Sequence, residues 1–439
     1  MKKISINIDI AKILKKNTAI IIPAAIAFVA VLLFIPTAMM RGKISTNLEQ
    51  SKRLAQEVDS TISSVVSEKQ YELAKVYQDK HGQDSNEIHN LAVQTTQREL
   101  LSYKIFPEPN ETSTQIFNEF HKTYVAAFAK LINDMNALDA PSDAEIKKEA
   151  GASGQGIELG TGGGRSSSTA TDKSNEKIID IVCKRRSDKI PVYANPQVFS
   201  GYGFWDNWEY FGRENAVRDC WYSQLAYWIH CDIVDSINEI NKGSTSVPKS
   251  SVKRLLGIRF GSADAAVAGG KETAGSTNAT EHPQYVIQGG GQLCNAWTKR
   301  TSGEKLDVVH FSVAVVIRAN DVLKFMDELC SEKEHYFAGY NGQQERQKFS
   351  HNQITILQSN IDSVDRKNIE HLRYRYGQDA VVHLNLICEY LFNREGYDAI
   401  KPKTVFVQLG QTPAASPQQG QADMGMGQPG GQTYGSGMP

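Results

Sequence analysis

From Asn17 to Met40 the chain runs NTAIIIPAAIAFVAVLLFIPTAMM without a charged residue. As a helix rising 1.5 Å per residue, this run is long enough for a bilayer core of about 30 Å. Lys2, Lys3, Lys12, Lys15 and Lys16 precede it, whereas only Arg41 and Lys43 follow at once. The positive-inside rule then puts residues 1–16 in the cytoplasm and the bulk of the chain in the periplasm. The run is too long for a signal-peptide core and no small-x-small site closes it. The expectation is an uncleaved single-pass anchor in the cytoplasmic (inner) membrane, with too short a cytoplasmic tail for a signalling module.

At 439 residues the remainder has room for more than one unit, and 40% hydrophobic against 22% charged residues allows a real core. Lys plus Arg number 48 and Asp plus Glu 49, so no global field draws the protein to nucleic acid. Six cysteines (Cys183, Cys220, Cys231, Cys294, Cys330 and Cys388) would sit in a compartment that permits disulfides, and spacing does not choose among their pairings. No CxxC occurs, which removes the zinc-ribbon and thioredoxin-like motifs.

Beyond the apolar run, Ile44, Leu48, Ala55, Val58, Ile62 and Val65 fall on an a/d-like seam broken by Ser51 and Lys69. That pattern predicts a helical, coiled-coil-like stalk. Ile116, Phe117, Phe120, Tyr124, Phe128, Leu131, Ile132 and Met135 recur at i, i+3, i+4 spacing and predict an amphipathic helix. The expected layout is a tail 1–16, a transmembrane helix 17–40, a helical stalk 41–140 and a flexible linker 141–176. A β-α-β segment 177–260, a low-complexity insertion 261–304, a β-α-β-β segment 305–410 and a disordered tail 411–439 follow.

In the last ordered segment the alternation is sharp. Val309, Phe311, Val313, Val315 and Ile317 share one strand face, as do Val382, Leu384, Leu386, Cys388, Tyr390 and Phe392. The expected fold class is α+β: one transmembrane helix, a stalk, then ferredoxin-like segments forming an antiparallel sheet.

The stretch RDCWYSQLAYWIHCDIVDSINEI (218–240) carries two cysteines and a histidine. On one helix Cys220 and His230 lie ten residues apart, about 15 Å in height, and cannot meet as nucleophile and base. The apolar side changes near His230, which predicts a bend or two packing partners, so the stretch reads as a docking helix. His310, His383 and Glu389 share the less apolar strand faces; a two-histidine, one-carboxylate set would need their strands adjacent and in register. No HxH, HxxxH or HExxH spacing supports a metal, and sheet surface is the plainer reading. GTGGG (160–164) lacks the strand and the Lys-Ser/Thr of a phosphate loop. RKNIEHLRYRYG (366–377) interleaves basic and aromatic residues, a mix suited to a partner or a glycan.

With WYSQLAYWIHCDIVDSINEIN, VKRLLGI, VVHFSVAVVIRANDVLKFMDELC and VVHLNLICEYLFN in view, the chain resembles planctomycete-type envelope proteins of unassigned activity. Its plan is also similar to the PilO-like inner-membrane alignment proteins of type IV pili and type II secretion. That resemblance implies a short cytoplasmic tail, one membrane helix, a coiled coil and a periplasmic ferredoxin-like domain that dimerises. The expectation is a non-enzymatic bitopic scaffold, a homodimer or a heterodimer with similar stalked anchors, in contact with the inner membrane and with pilus or secretion components. Neither cofactor, metal nor nucleic acid is expected. The interaction residues expected are Val308, His310, Ser312, Ala314 and Val316 on one strand face, with Trp221 and Trp228 on the docking helix. The alternative is a periplasmic cell-wall or glycan-binding protein, followed by a metal-dependent periplasmic enzyme.

Overall fold

The computed structural model describes residues 18–64, 67–152, 169–260 and 282–412. The chain divides into two units, Met1–Asn86 and Glu87–Pro439.

The first unit is helical. Helix α1 spans Thr18–Ser64, and α2 (Glu68–Gln94) begins after a break. Ser67 and Gln70 start α2 with a reciprocal cap: Gln70 N donates to Ser67 Oγ at 3.3 Å, and Ser67 N donates to Gln70 Oε1 at 3.1 Å. Every described side chain of α1 is exposed, including the seam residues Ile44 (63%), Leu48 (70%), Val58 (53%) and Ile62 (65%); Val65 lies outside the described residues.

The expected transmembrane helix does not stand. Among the described residues no helix is long and apolar enough to cross a membrane, and the single-pass inner-membrane location falls with it. The same helix continues without interruption into Arg41, Lys43, Glu49, Lys52 and Arg53. The expected tail 1–16 lies outside the described residues.

The second unit is α+β. Its helices are α3 (Gln115–Asp134), α4 (Asp143–Ala152), α5 (Thr169–Ser187), α6 (Arg213–Ile240), α7 (Val322–Leu329) and α8 (Lys403–Leu409). Its strands are β1 (Val252–Arg259), β2 (Leu306–Arg318), β3 (Lys333–Phe337), β4 (Gln347–His351), β5 (Ile354–Ser363) and β6 (Val381–Asn393). Four strands form an antiparallel sheet in the order β1-β2-β6-β5, and β3 and β4 form a separate hairpin. The outer edge of β1 is covered by the chain itself: Tyr193 N donates to Lys253 O, Leu255 N to Tyr193 O, and Ser200 N to Ile258 O.

The alternating residues of β2 and β6 face one core. Phe311, Val313, Val315, Leu384, Leu386 and Tyr390 are closed to solvent and pack with the aromatic side of α3 and with α6. All eight predicted apolar positions of α3 are buried. This helix therefore belongs to the sheet unit, which shortens the expected stalk of 41–140. Helix α6 is buried nearly all round, on both of the sides its sequence pattern offers. Its two packing partners come from within the chain.

Three further expectations need correction. Residues 177–184 form part of α5 and not a strand, so no first β-α-β segment exists; Ile178, Ile179, Val182 and Cys183 sit at helical spacing, and that side is the less exposed one. Residues 143–152, expected in a flexible linker, form α4, which is joined to α5 by ion pairs of Arg185 with Glu149 and Arg186 with Glu145. The described part of the insertion, 282–304, is seated on the sheet, with Tyr285 and Leu293 buried. The ferredoxin-like plan survives only as β2-α7-β5-β6, with β6 between β2 and β5 and the β3-β4 hairpin inserted.

Candidate functional site

The predicted interaction face is already occupied. Val308, His310, Ser312 and Val316 are buried, and only Ala314 is half-exposed. At one end residues 286–302 close over the strand: Val286 N donates to Val308 O at 2.8 Å, and Leu293 N donates to His310 Nδ1 at 3.1 Å. At the other end Val316 packs with Ile190, Tyr193, Val247 and Tyr376. Trp221 and Trp228 are interior too; their indole N–H groups donate to Tyr285 Oη (3.0 Å) and Glu99 O (2.9 Å). None of these residues offers an open docking surface.

The histidine and carboxylate set does not converge. His310 faces Glu389 directly across the strands, but His383 pairs with Val316, six residues along β6 from Glu389, or about 20 Å. Glu389 is taken by Thr298 and Arg300. His310 is held neutral by burial, its pKa pushed down to about 4. Among the described residues no group of three metal-ligating side chains forms.

The cysteines are all free thiols. Burial pushes Cys220 well above its usual range and Cys231 up to about 12, while His230 is pushed down to about 3 and its Nε2 lies 3.2 Å from Ser200 O. A thiolate and imidazole pair is therefore not assembled on α6. The aromatics of 366–377 are likewise engaged: Tyr374 and Tyr376 stack on each other, and the Arg254 guanidinium lies 3.6 Å above Tyr374.

A buried polar cluster escaped the sequence reading. Arg98 grips both carboxylate oxygens of Asp232 (2.7 and 3.2 Å) and donates to Tyr390 Oη (2.6 Å). His351 Nε2 lies 2.9 Å from Asp232 Oδ2, and its Nδ1 lies 2.9 Å from His335 Nδ1. His335 Nε2 faces the carbonyls of Gln94 and Gln97 at 3.1 Å. A carbonyl only accepts, so His335 carries its proton on Nε2 and accepts from His351 on Nδ1. The other nitrogen of His351 is turned to the Asp232 carboxylate. Burial alone would raise the Asp232 carboxyl; Arg98 and His351 outweigh it and hold the group far below the usual range. The cluster joins the end of α2 and its following segment to α6, the β3-β4 hairpin and β6. It is closed to solvent and has the form of a clamp.

A cavity of about 750 Å³ opens beside the start of α6, between residues 203–207, 282–291 and α8. Its walls include the rings of Phe204, Tyr222 and Tyr285. Tyr222 Oη donates to Gln408 Oε1 at 3.0 Å, and Trp208 Nε1 donates to Asp219 Oδ2 at 3.0 Å. Burial raises the Asp219 carboxyl, and Arg218 Nη2 stands 3.7 Å from its Oδ1. The His282 ring packs against Phe204 with centroids 3.9 Å apart. Both His282 ring nitrogens are shut from solvent without a hydrogen-bond partner among the described residues. Burial pushes this histidine down to about 3.

No protein-family model matches the sequence, and none of the curated proteins matches it either. A crystal structure of a protein from Akkermansia muciniphila is a distant structural neighbour. It is 8% identical, covers 63% of this chain and 96% of its own, and has a TM-score of 0.21. A likeness that faint carries no argument about function.

Proposed function

We propose that the protein is a non-enzymatic assembly scaffold that pairs along its N-terminal helix with a second copy or a similar stalked partner, while the α+β unit serves as the docking body. The observation that carries this reading is the exposed seam. Ile44, Leu48, Val58 and Ile62 keep a heptad spacing on a helix whose described side chains all face solvent, and such a stripe gains free energy when a facing helix removes it from water. A pilus or secretion setting rests on the resemblance in element order alone.

The test is sedimentation velocity of the full chain and of a variant carrying Leu48→Asp, Val58→Asp and Ile62→Asp. The expected result is a self-associated species for the parent chain and a monomer for the variant. Association that is unchanged in the folded variant overturns the seam. A parent chain that is monomeric, and that recovers no stalked partner after cross-linking and affinity purification, overturns the scaffold.

A further inference from the structure

We propose that the cavity beside the start of α6 binds a small neutral saccharide, of one or two sugar rings. Its volume of about 750 Å³ falls within the range of small-molecule pockets, about 300–1,000 Å³. The wall chemistry then selects the class of ligand.

Phosphate and other strong anions are a poor match. Arg218 is the sole Lys or Arg among the lining residues, Asp219 stands beside it, and His282 is held neutral by burial. A lipid chain is a poor match as well, because it would strip water from Arg218, Asp219 and Gln408 without replacing their hydrogen bonds. A sugar satisfies both halves. Its C–H face can lie on the aromatic rings of Phe204 and Tyr222, while its hydroxyls give to the carboxylate and amide oxygens and accept from the guanidinium.

The site differs from the seam of α1 in residues and in readout. The test is saturation-transfer difference NMR on the full chain with glucose, galactose, mannose, N-acetylglucosamine, cellobiose and chitobiose, and with inorganic phosphate and octanoate as comparison probes. At least one sugar is expected to bind, with affinity reduced at least tenfold, about 1.4 kcal/mol, by Asp219→Ala and by Gln408→Ala. Gln408 is exposed, so its variant carries the test if loss of Asp219 disturbs folding. Absence of binding by every sugar overturns the proposal, as does sugar binding that is indifferent to the folded variants. Binding of phosphate or octanoate alone would replace the ligand class and overturn it too.

Discussion

His351 Nε2 and Asp232 Oδ2 meet at 2.9 Å, in a place where neither side chain reaches solvent. Asp232 also carries Arg98, so one carboxylate serves a buried guanidinium and a buried imidazole. Replacing it by Ala leaves the buried Arg98 guanidinium uncompensated, and such a loss costs about 3–5 kcal/mol. Urea unfolding of Asp232→Ala is expected to show a midpoint lowered accordingly with an unchanged slope. A midpoint equal to that of the parent would show that the cluster does not hold the fold.

Acid should loosen the same unit. His230 and His335, both buried, have pKa values pushed down to about 3, by burial first and, for His335, by Arg98 next. An unfolded histidine titrates near 6.5, so between pH 6.5 and about 3 the unfolded chain binds more protons. Their contribution is therefore complete above pH 6.5 and declines below it, by up to about 1.4 kcal/mol per pH unit for each. Asp235, raised to about 6 by partial loss of hydration and then by Asp232, works in the opposite direction, weakly, because its side chain still reaches solvent. Unfolding free energy is expected to fall from pH 7 to pH 4, and His230→Gln should make that dependence shallower. A flat profile in the parent would contradict the neutral-histidine assignment.

Gly396 sets how closely the exit of β6 approaches the end of α2. A Cβ there would lie 2.1 Å from both Thr96 Oγ1 and Val93 O. Thr96 Oγ1 meanwhile donates to Asn393 O at 2.7 Å, which fixes the approach. Gly396→Ala is expected to destabilise by about 1–3 kcal/mol through overpacking. Hydrogen exchange should show faster opening first at residues 93–98 and 393–397, and unaltered exchange there would show that the backbone yields freely.

Phe311 has no exposed surface and sits in the main core. Phe311→Ala is expected to cost about 3–5 kcal/mol, measured by calorimetry as a lower transition temperature. A change within error would mean that the core refills the space.

What could be read from the sequence follows from periodicity. The alternation in β2 and β6 and the 3.6-residue pattern of α3 are long, and tertiary packing agrees with them. Residues 177–184 misled because two pairs of apolar residues four apart in a charged segment satisfy a short strand as readily as a helix. The β3-β4 hairpin left no apolar signal, since its inward residues include Lys333 and His335. The partners of Asp232, namely Arg98, His351 and Tyr390, lie over a hundred positions away, and spacing along a chain says nothing of such meetings. The face of Val308 to Val316 looked available because 286–302, which covers its start, is rich in Gly and Thr, and the residues that cover its end, among them Ile190, Val247 and Tyr376, come from distant stretches.

The two margins of the sheet are unlike. Along β1 the segment from Tyr193 to Ser200 takes up the outward backbone groups, whereas the outermost strand on the other side, β5, is exposed from residue 358 to 363. A sheet with one closed and one open border can gain neighbours on a single side only. Two such bodies joined border to border would have none left to offer. Growth by strand addition through that border would then halt at a pair.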